Sequence, residues 1–258
     1  MKILSAKLVI VASALVASSV IYAGQPSLPL QPLAEKPGLL SVQGLPGKVY
    51  YVPSTLETIK WGYLPNATDA PLLTVPSGAT VVFDTLSHEG LLEDQGRDPL
   101  KYFAAHGVPA RMVLKDAIAI TGSAKPHDFA KDGPHIITGP VAVEGAEPGD
   151  VLKLDILAVQ PRVPYGVISN RHGKGALPGE YPLGAKPDPD ANAASPEKFH
   201  NVSVFTPIRK NKNGKWQAVM KNARGEEITF PTVPFMGVMG VAAQIGRASC
   251  RERVSSPV

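Results

Sequence analysis

The sequence predicts a mainly β protein with a sandwich- or barrel-like core and few short helices. The 258 residues include 26 prolines and 24 glycines, and few segments show the 3.6-residue spacing of an amphipathic helix. Residues 77–86 and 148–157 also match each other, because each places a Gly turn before an apolar and β-branched run. Such a turn typically leads into a half-buried strand, so we expect a strand at both positions.

The N-terminus has the layout of a signal peptide. Lys2 and Lys7 precede a run of apolar and small residues from Leu8 to Ile21, which Tyr22-Ala23-Gly24 closes. The run is shorter than the roughly 20 apolar residues of a membrane helix. Residues 1–23 are therefore predicted to be cleaved. The mature chain would lie in the periplasm or outside the cell, with no stable membrane anchor.

The chain after the leader divides into an arm and a packed domain. Residues 24–49 are rich in proline and predict an extended arm, whereas residues 50–243 contain the runs expected of a packed domain. Residues 161–196 are rich in Pro, Gly and Asp, which predicts a long irregular loop. Residues 211–215 predict a hairpin turn, because Asn and Gly stand between two apolar runs.

Residues 98–119 are the best helix candidate in the chain. Pro99 suits the first turn of a helix, and Leu100, Phe103 and Ala104 share one face. A break is expected at Gly107 or the proline that follows it at position 109.

The last residues of the sequence are better explained as translated adapter DNA than as part of the natural protein. Residues 244–254 are what a common short-read library adapter would encode, so residues 244–258 are predicted to be non-native. We expect the natural chain to continue differently after Ala243, and the chain as written to be inactive. Cys250, the one cysteine, lies in this tail. The domain would then contain no thiol.

The formal charge of +4 comes from the two ends of the chain. The leader contributes two lysines, and the tail contributes three arginines and one glutamate, so the remainder has no net charge. It also has no dense stripe of Lys and Arg. These observations exclude a nucleic-acid partner from the prediction.

Three segments concentrate side chains that could bind a metal or move a proton: residues 84–90, residues 127–150 and the loop around His172. Imidazole and carboxylate together suit zinc and related divalent metals. His88 and His135 are the strongest candidates, because each lies beside a predicted strand end with an acidic residue or a tight turn next to it. Three others fit surface or hydrogen-bonded core positions better: His106, His127 and His200.

Residues 135–152 closely resemble the signature of the acetamidase/formamidase family: a His, then Thr-Gly-Pro, then Val-Glu-Gly-Ala-Glu-Pro-Gly-Asp. Residues 75–83, Gly173-Lys174-Gly175 and residues 231–241 are similar to further family segments. The resemblance covers roughly residues 55–243 in the family's order. Residues 84–97 are an unusual version, which suggests a divergent, exported branch.

The resemblance implies hydrolysis of a small linear amide to a carboxylate and ammonia. It also implies the mainly β acetamidase/formamidase fold, a homo-oligomer and a bound divalent metal, with zinc favoured and calcium as the alternative. The family's later Gly-Gly-Asn and Gly-Asp-Gly-Glu segments have no counterpart in this sequence. We therefore expect the fold to be incomplete at the C-terminus.

The residues present favour a water nucleophile activated by a metal. The domain has no thiol, and its serines lack a Gly-x-Ser-x-Gly elbow. A divalent metal would activate water and polarise the amide carbonyl, and a carboxylate would carry the proton to the leaving ammonia. The predicted metal ligands are Asp84, His88 and His135. Glu144 is the predicted proton shuttle or a further ligand, with His135 as the other catalytic residue.

A second reading is a secreted β-sandwich that binds a ligand without catalysis, in which the turns and strands are purely architectural. Release of ammonia from short amides would separate the two readings.

Overall fold

The computed structural model describes residues 3–8, 29–42 and 45–242, with the backbone alone for residues 3–8. Within these residues the chain is mainly β, with two α-helices of seven residues each, which confirms the predicted fold class. The strands form two larger sheets and two ribbons of two strands. The predicted tail and most of the predicted leader lie outside the described residues.

The first sheet holds both strands that were predicted from a Gly turn. Its strands are β1 (Ile3–Leu8), β2 (Gly38–Ser41), β3 (Lys48–Val52), β6 (Thr80–Phe83) and β9 (Val151–Ile156). They lie in the order β2-β3-β6-β1-β9, and among these pairs β2 with β3 is antiparallel and the others are parallel. The strand predictions for residues 77–86 and 148–157 are confirmed by β6 and β9. Strand β1 lies between β6 and β9, and cleavage after Ala23 would remove it.

The second sheet is an antiparallel meander of strands that are consecutive in sequence. Its strands are β10 (Tyr165–Asn170), β11 (Val202–Lys210), β12 (Trp216–Lys221) and β13 (Glu227–Pro231). The hairpin turn predicted at residues 211–215 is confirmed between β11 and β12. The loop prediction for residues 161–196 is wrong for β10. Its apolar residues alternate too weakly to reveal a strand that is stabilised by pairing with β11.

Two ribbons place polar segments near the sheets. The ribbons are β4 (Ile59–Trp61) with β7 (Ile136–Thr138), antiparallel, and β5 (Leu73–Val75) with β8 (Val141–Val143), parallel. His135 directly precedes β7, and its carbonyl accepts a hydrogen bond of 2.9 Å from the Gly62 backbone N–H. The ribbon therefore fixes the backbone at this histidine.

The predicted helix and its break are both present. Helix α1 (Pro99–Ala105) begins with Pro99 in its first turn, and the Asp98 carboxylate accepts a hydrogen bond from the backbone of Lys101, at 3.1 Å. Helix α2 (Lys115–Thr121) follows after an interruption. Of the three residues predicted to share a face in α1, Phe103 is buried, whereas Leu100 and Ala104 are exposed.

The core lies around the segment that follows β6. Leu91 and Leu92 are fully buried in one apolar cluster with Trp61 and Ile120. The preceding Gly90 has a φ of 85°, and a Cβ there would lie 2.7 Å from the ring of Phe103. Glycine is therefore required for the backbone to approach this ring. The close approach holds residues 87–90 against the core.

The described part of the predicted arm contacts the domain. The backbone N–H of Leu30 donates to the carbonyl of Arg162 at 2.8 Å, and Arg162 Nε donates to the Leu30 carbonyl at 3.0 Å. The Leu33 N–H donates to the Tyr51 hydroxyl at 2.9 Å. Strand β2 then joins the first sheet. Among the helices of the described residues, none has the length and apolar character needed to cross a membrane.

Tyr165 predicts a loss of stability at alkaline pH. Its buried hydroxyl donates to the Met112 carbonyl at 2.9 Å, and burial raises the pKa of this hydroxyl from 10.0 to about 12. The folded state thus favours the neutral phenol. This contribution is complete below pH 10 and is lost as the pH rises towards 12. The stability of the wild type relative to Tyr165→Phe should therefore fall by roughly 2 to 3 kcal/mol over this range. Urea unfolding of both proteins between pH 8 and pH 12 measures it, and a constant difference would contradict the assignment.

Candidate active site

Two of the predicted site histidines are brought together from distant parts of the chain. His88 follows β6, and His135 precedes β7. Their ring centroids lie 5.1 Å apart, and the rings meet edge to face with an interplanar angle of 77°. The sequence predicted both residues as ligands, and the structure places them as a pair.

Glu89 lies beside His88 and is held by several donors. His88 Nε2 lies 3.1 Å from Glu89 Oε1. Arg171 Nη1 and Nη2 lie 3.1 Å and 3.2 Å from the two carboxylate oxygens. The Ser169 hydroxyl and the Gln95 amide also donate to this carboxylate, each at 2.5 Å. With this many partners, Glu89 fixes the orientation of the His88 ring.

Arg171 is the buried cation that anchors this group. Its Nε lies 2.6 Å from Asp94 Oδ2, and the Asp94 side chain is completely buried. Asn201 Nδ2 donates to the same oxygen at 3.0 Å. One guanidinium therefore faces two buried carboxylates. Because a buried charge is tolerated only when it is paired, the three side chains depend on one another.

The electrostatics of the site keep Glu89 charged and His135 neutral. Burial by itself would raise the pKa of Glu89, but hydrogen bonds from His88 and Arg171 outweigh burial and hold the pKa well below its usual range. Burial lowers the pKa of His135, and the nearby His88 lowers it further. At neutral pH His135 is therefore an uncharged imidazole, the form that binds metals and accepts protons.

Asp84, the third predicted ligand, points into a different buried group. Its carboxylate accepts a short hydrogen bond from the Tyr51 hydroxyl, and Arg162 Nη2 lies 4.0 Å away. Burial raises the pKa of Asp84, and the charge of Arg162 opposes this rise. Asp84 does not line the cavity that contains the histidine pair. Its assignment as a ligand stays a prediction.

Glu144 lies in the turn after β8, where its side chain is exposed. Its backbone N–H donates to the Val75 carbonyl at 2.8 Å, which ties the turn to β5. Glu147 and Asp150 of the following residues line the cavity beside the histidine pair, whereas Glu144 does not. Its role as proton shuttle likewise stays a prediction.

Three of the remaining histidines, His106, His127 and His200, have the surroundings expected for structural residues. His127 is buried, is stacked on Trp61 at 4.5 Å and lies 3.0 Å from the Gly133 carbonyl, which confirms its core prediction. His106 is stacked on Phe205, and His200 pairs with Asp188 at the surface. In the described part of the chain, both ring nitrogens of His172 are buried without a hydrogen-bond partner, but this residue does not line the cavity.

The sequence did not identify Glu89 or Arg171 as site residues. Glu89 directly follows His88, and this acid next to a candidate ligand was an available signal. Arg171 lies 82 positions from Glu89 in the chain. Nothing in local spacing indicates that pairing, because it depends on where β10 ends relative to the segment after β6.

The histidine pair fits part of a divalent metal site. With Zn–N bonds of about 2.0 to 2.1 Å, two imidazoles on one tetrahedral zinc have ring centroids roughly 5 Å apart. The observed 5.1 Å is compatible with this separation and is also an ordinary distance for two rings that meet edge to face. Among the described residues, however, no group of three or more His, Cys, Asp or Glu side chains is arranged to hold a metal. The pair could therefore supply two ligands, which is not a complete set.

A large cavity opens beside the pair. Its volume is about 1210 Å³, and His88, Glu89, His135 and Arg162 are among the polar residues on its walls. Most other lining residues are apolar and come from both sides of the core. A mainly apolar wall with a few polar groups is common for sites that bind small molecules.

Comparison with known proteins relates the chain to one protein family. The profile of the Acetamidase/Formamidase family matches residues 123–248. This match and the mainly β fold support membership of the acetamidase/formamidase family, as the resemblance predicted. No curated protein and no solved structure matches the chain.

The matched range contains His135 and Arg171 but begins after His88 and Glu89. It ends within the segment that was interpreted as adapter, and that interpretation stays a prediction. Membership of the family indicates an amidase-type hydrolase that acts on small amides.

Proposed function

We propose that the chain hydrolyses the carbon–nitrogen bond of a primary amide at the His88–His135 pair and releases ammonia. The observation that carries this proposal is the pairing of two histidines, one of them held neutral, within the cavity of a member of an amidase family. Acetamide and formamide are the simplest substrates to test.

His135 and His88 have different roles in the proposed reaction. The neutral His135 imidazole accepts a proton from the attacking water or serves as a ligand to a divalent metal. Glu89 and Arg171 keep the His88 ring in one orientation. Because its pKa is held far below neutrality, Glu89 is a poor proton acceptor and acts as a positioning residue.

A divalent metal is part of the proposal. His88 and His135 would hold it, and two imidazoles favour zinc over calcium, which prefers oxygen ligands. A bound cation supplies Lewis-acid activation of the amide carbonyl and of the attacking water. Asp84 and Glu144 remain candidates for a further ligand and for the proton shuttle.

The proposal also includes export and assembly. The layout of residues 1–23 favours cleavage after Ala23 and a mature enzyme in the periplasm or outside the cell. The family resemblance favours a homo-oligomer. N-terminal sequencing of protein from the native host tests the first statement, and recovery of Met1 would contradict it.

The activity is tested by release of ammonia from a panel of primary amides, before and after exhaustive chelation. We expect ammonia release that chelation abolishes and that added zinc restores. Full activity after chelation would contradict the metal and leave the amidase proposal in place.

Glu89→Gln tests the positioning role. The substitution keeps the size of the side chain but removes the charge that His88 and Arg171 share. Loss of a side chain that orients a metal ligand typically lowers metal affinity or activity by about 10- to 100-fold, and we expect a loss in that range. Bound metal and turnover should be measured together. Wild-type values for both would contradict the role.

Glu144→Gln tests the proton-shuttle role and is compared with Glu89→Gln, because each variant replaces one carboxylate with an amide. If Glu144 shuttles the proton, turnover falls by about 10²- to 10⁴-fold while the metal is retained. Wild-type turnover would remove Glu144 from the mechanism and leave His135 as the proton acceptor.

A further inference from the structure

The cavity beside the histidine pair is much larger than a short amide requires. Acetamide has four non-hydrogen atoms and would occupy roughly 120 Å³, taking about 30 Å³ for each water-sized atom. The cavity measures about 1210 Å³. Pockets for small molecules usually measure about 300 to 1,000 Å³, so this chamber is of the size expected for a considerably larger ligand.

The walls of this cavity are built from two parts of the apolar core. One part is a cluster beside β5 and β8, which contributes Val75, Val141 and Met236. The other part lies around helix α1 and β10, and it contributes Phe103, Val113 and Tyr165. The cavity therefore runs between packed clusters, and a ligand inside it would contact apolar side chains on more than one side.

Such walls favour an apolar occupant over water. A water molecule inside a protein needs two to four polar partners, and the valine, phenylalanine and methionine side chains offer none. Some apolar lining residues, such as Phe235 and Val241, are also exposed to solvent, and an apolar ligand would remove part of their surface from water. Both effects favour an apolar group in the space.

His88, Glu89 and His135 form one polar part of the cavity wall, and Glu147, Asp150 and Arg162 also line the cavity. From this arrangement we propose that the substrate is a primary amide with a medium-length or bulky apolar acyl group, which fills the cavity while its amide group lies at the histidine pair. This inference rests on the proposed amidase function and adds the substrate class to it.

The first test is the dependence of kcat/KM on acyl length, with acetamide, butanamide and hexanamide as substrates of the full chain. Each buried methylene contributes about 0.8 kcal/mol, which is about fourfold. We expect kcat/KM to rise on the order of 10²-fold from acetamide to hexanamide. Hydrolysis of acetamide without any gain for hexanamide would overturn the substrate class and leave the amidase function standing.

Two variants that narrow the cavity test whether the acyl group binds there. Ala142 in β8 and Ala146 in the following turn both line the cavity. Ala142→Phe should reduce the preference for hexanamide to less than about tenfold, since fewer methylenes can be buried. Ala146→Phe is the second variant, at an exposed position that tolerates substitution. Ala105→Phe on the exposed side of α1 is the matched control and should keep the wild-type preference. An unchanged preference in both cavity variants would overturn the assignment.

A binding measurement tests the apolar acyl site separately from the amidase function. The methyl ketones acetone and 2-heptanone carry the acyl chains of acetamide and hexanamide and have no leaving nitrogen. Titration should show that 2-heptanone binds on the order of 10²-fold more tightly than acetone. This binding without hydrolysis of any amide would refute the amidase function and keep the apolar site. Equal binding of both ketones would overturn the site itself.

Discussion

Arg171→Met should destabilise the protein more than any other single substitution proposed for it. The change leaves the Glu89 and Asp94 carboxylates buried without their shared cation. Removal of one partner from a buried ion pair typically costs about 3 to 5 kcal/mol. For a chain of this length, that loss corresponds to a fall in Tm of roughly 6 to 20 °C. Differential scanning calorimetry at pH 7 measures it.

Arg209→Met provides the control for this experiment. Arg209 of β11 pairs with Glu227 of β13, and about half of each side chain is accessible to solvent. Pairs of this kind contribute little, so its Tm should stay close to that of the wild type. The double variant Arg171→Met with Glu89→Gln should recover part of the loss, because one unpaired charge is removed. A Tm for Arg171→Met equal to that of the control would show that the cluster is not the anchor described.

His88→Ala and His135→Ala should each abolish most of the activity. Each removes one of the two imidazoles that meet at 5.1 Å, and a cation that loses one ligand of such a pair is poorly held. The fall in turnover should exceed the 10- to 100-fold loss expected when only an orienting residue is removed. Metal analysis and ammonia release on the same samples report both effects.

His106→Ala and His200→Ala are the matched controls. His106 is stacked on Phe205, His200 pairs with Asp188, and both are outside the cavity. Their metal content and turnover should equal those of the wild type. If His135→Ala keeps its metal but loses turnover, His135 is the proton acceptor and not a ligand. Unchanged metal and turnover in both site variants would refute the site.

Local patterns were sufficient for the elements that local chemistry determines. The Gly turns predicted β6 and β9, and Asp98 with Pro99 predicted the start of α1. The family signature at residues 135–152 predicted the class that the profile match supports. Each of these signals lies within a few consecutive residues. They can therefore be interpreted without knowledge of the tertiary structure.

Long-range pairing was beyond the reach of the same patterns. Strand β10 is stabilised by β11, which begins more than thirty residues later, and its own residues alternate too weakly to mark it. Arg171 meets Glu89 only because β10 ends beside the segment after β6. Asp84 shows that closeness in sequence does not ensure a shared site. Its carboxylate turns to Tyr51 and Arg162, and a side-chain direction of this kind cannot be inferred from proximity to His88 in sequence.

The most direct test of the amidase site is hydrolysis of hexanamide and acetamide followed by proton NMR, with ammonia assayed in parallel. The protein expressed from the complete native gene should produce carboxylate and ammonia in equal amounts, and its double variant His88→Ala with His135→Ala should produce neither. If this native protein is folded and supplied with zinc but releases no ammonia from any amide in the panel, the account is contradicted and a binding module without catalysis is favoured.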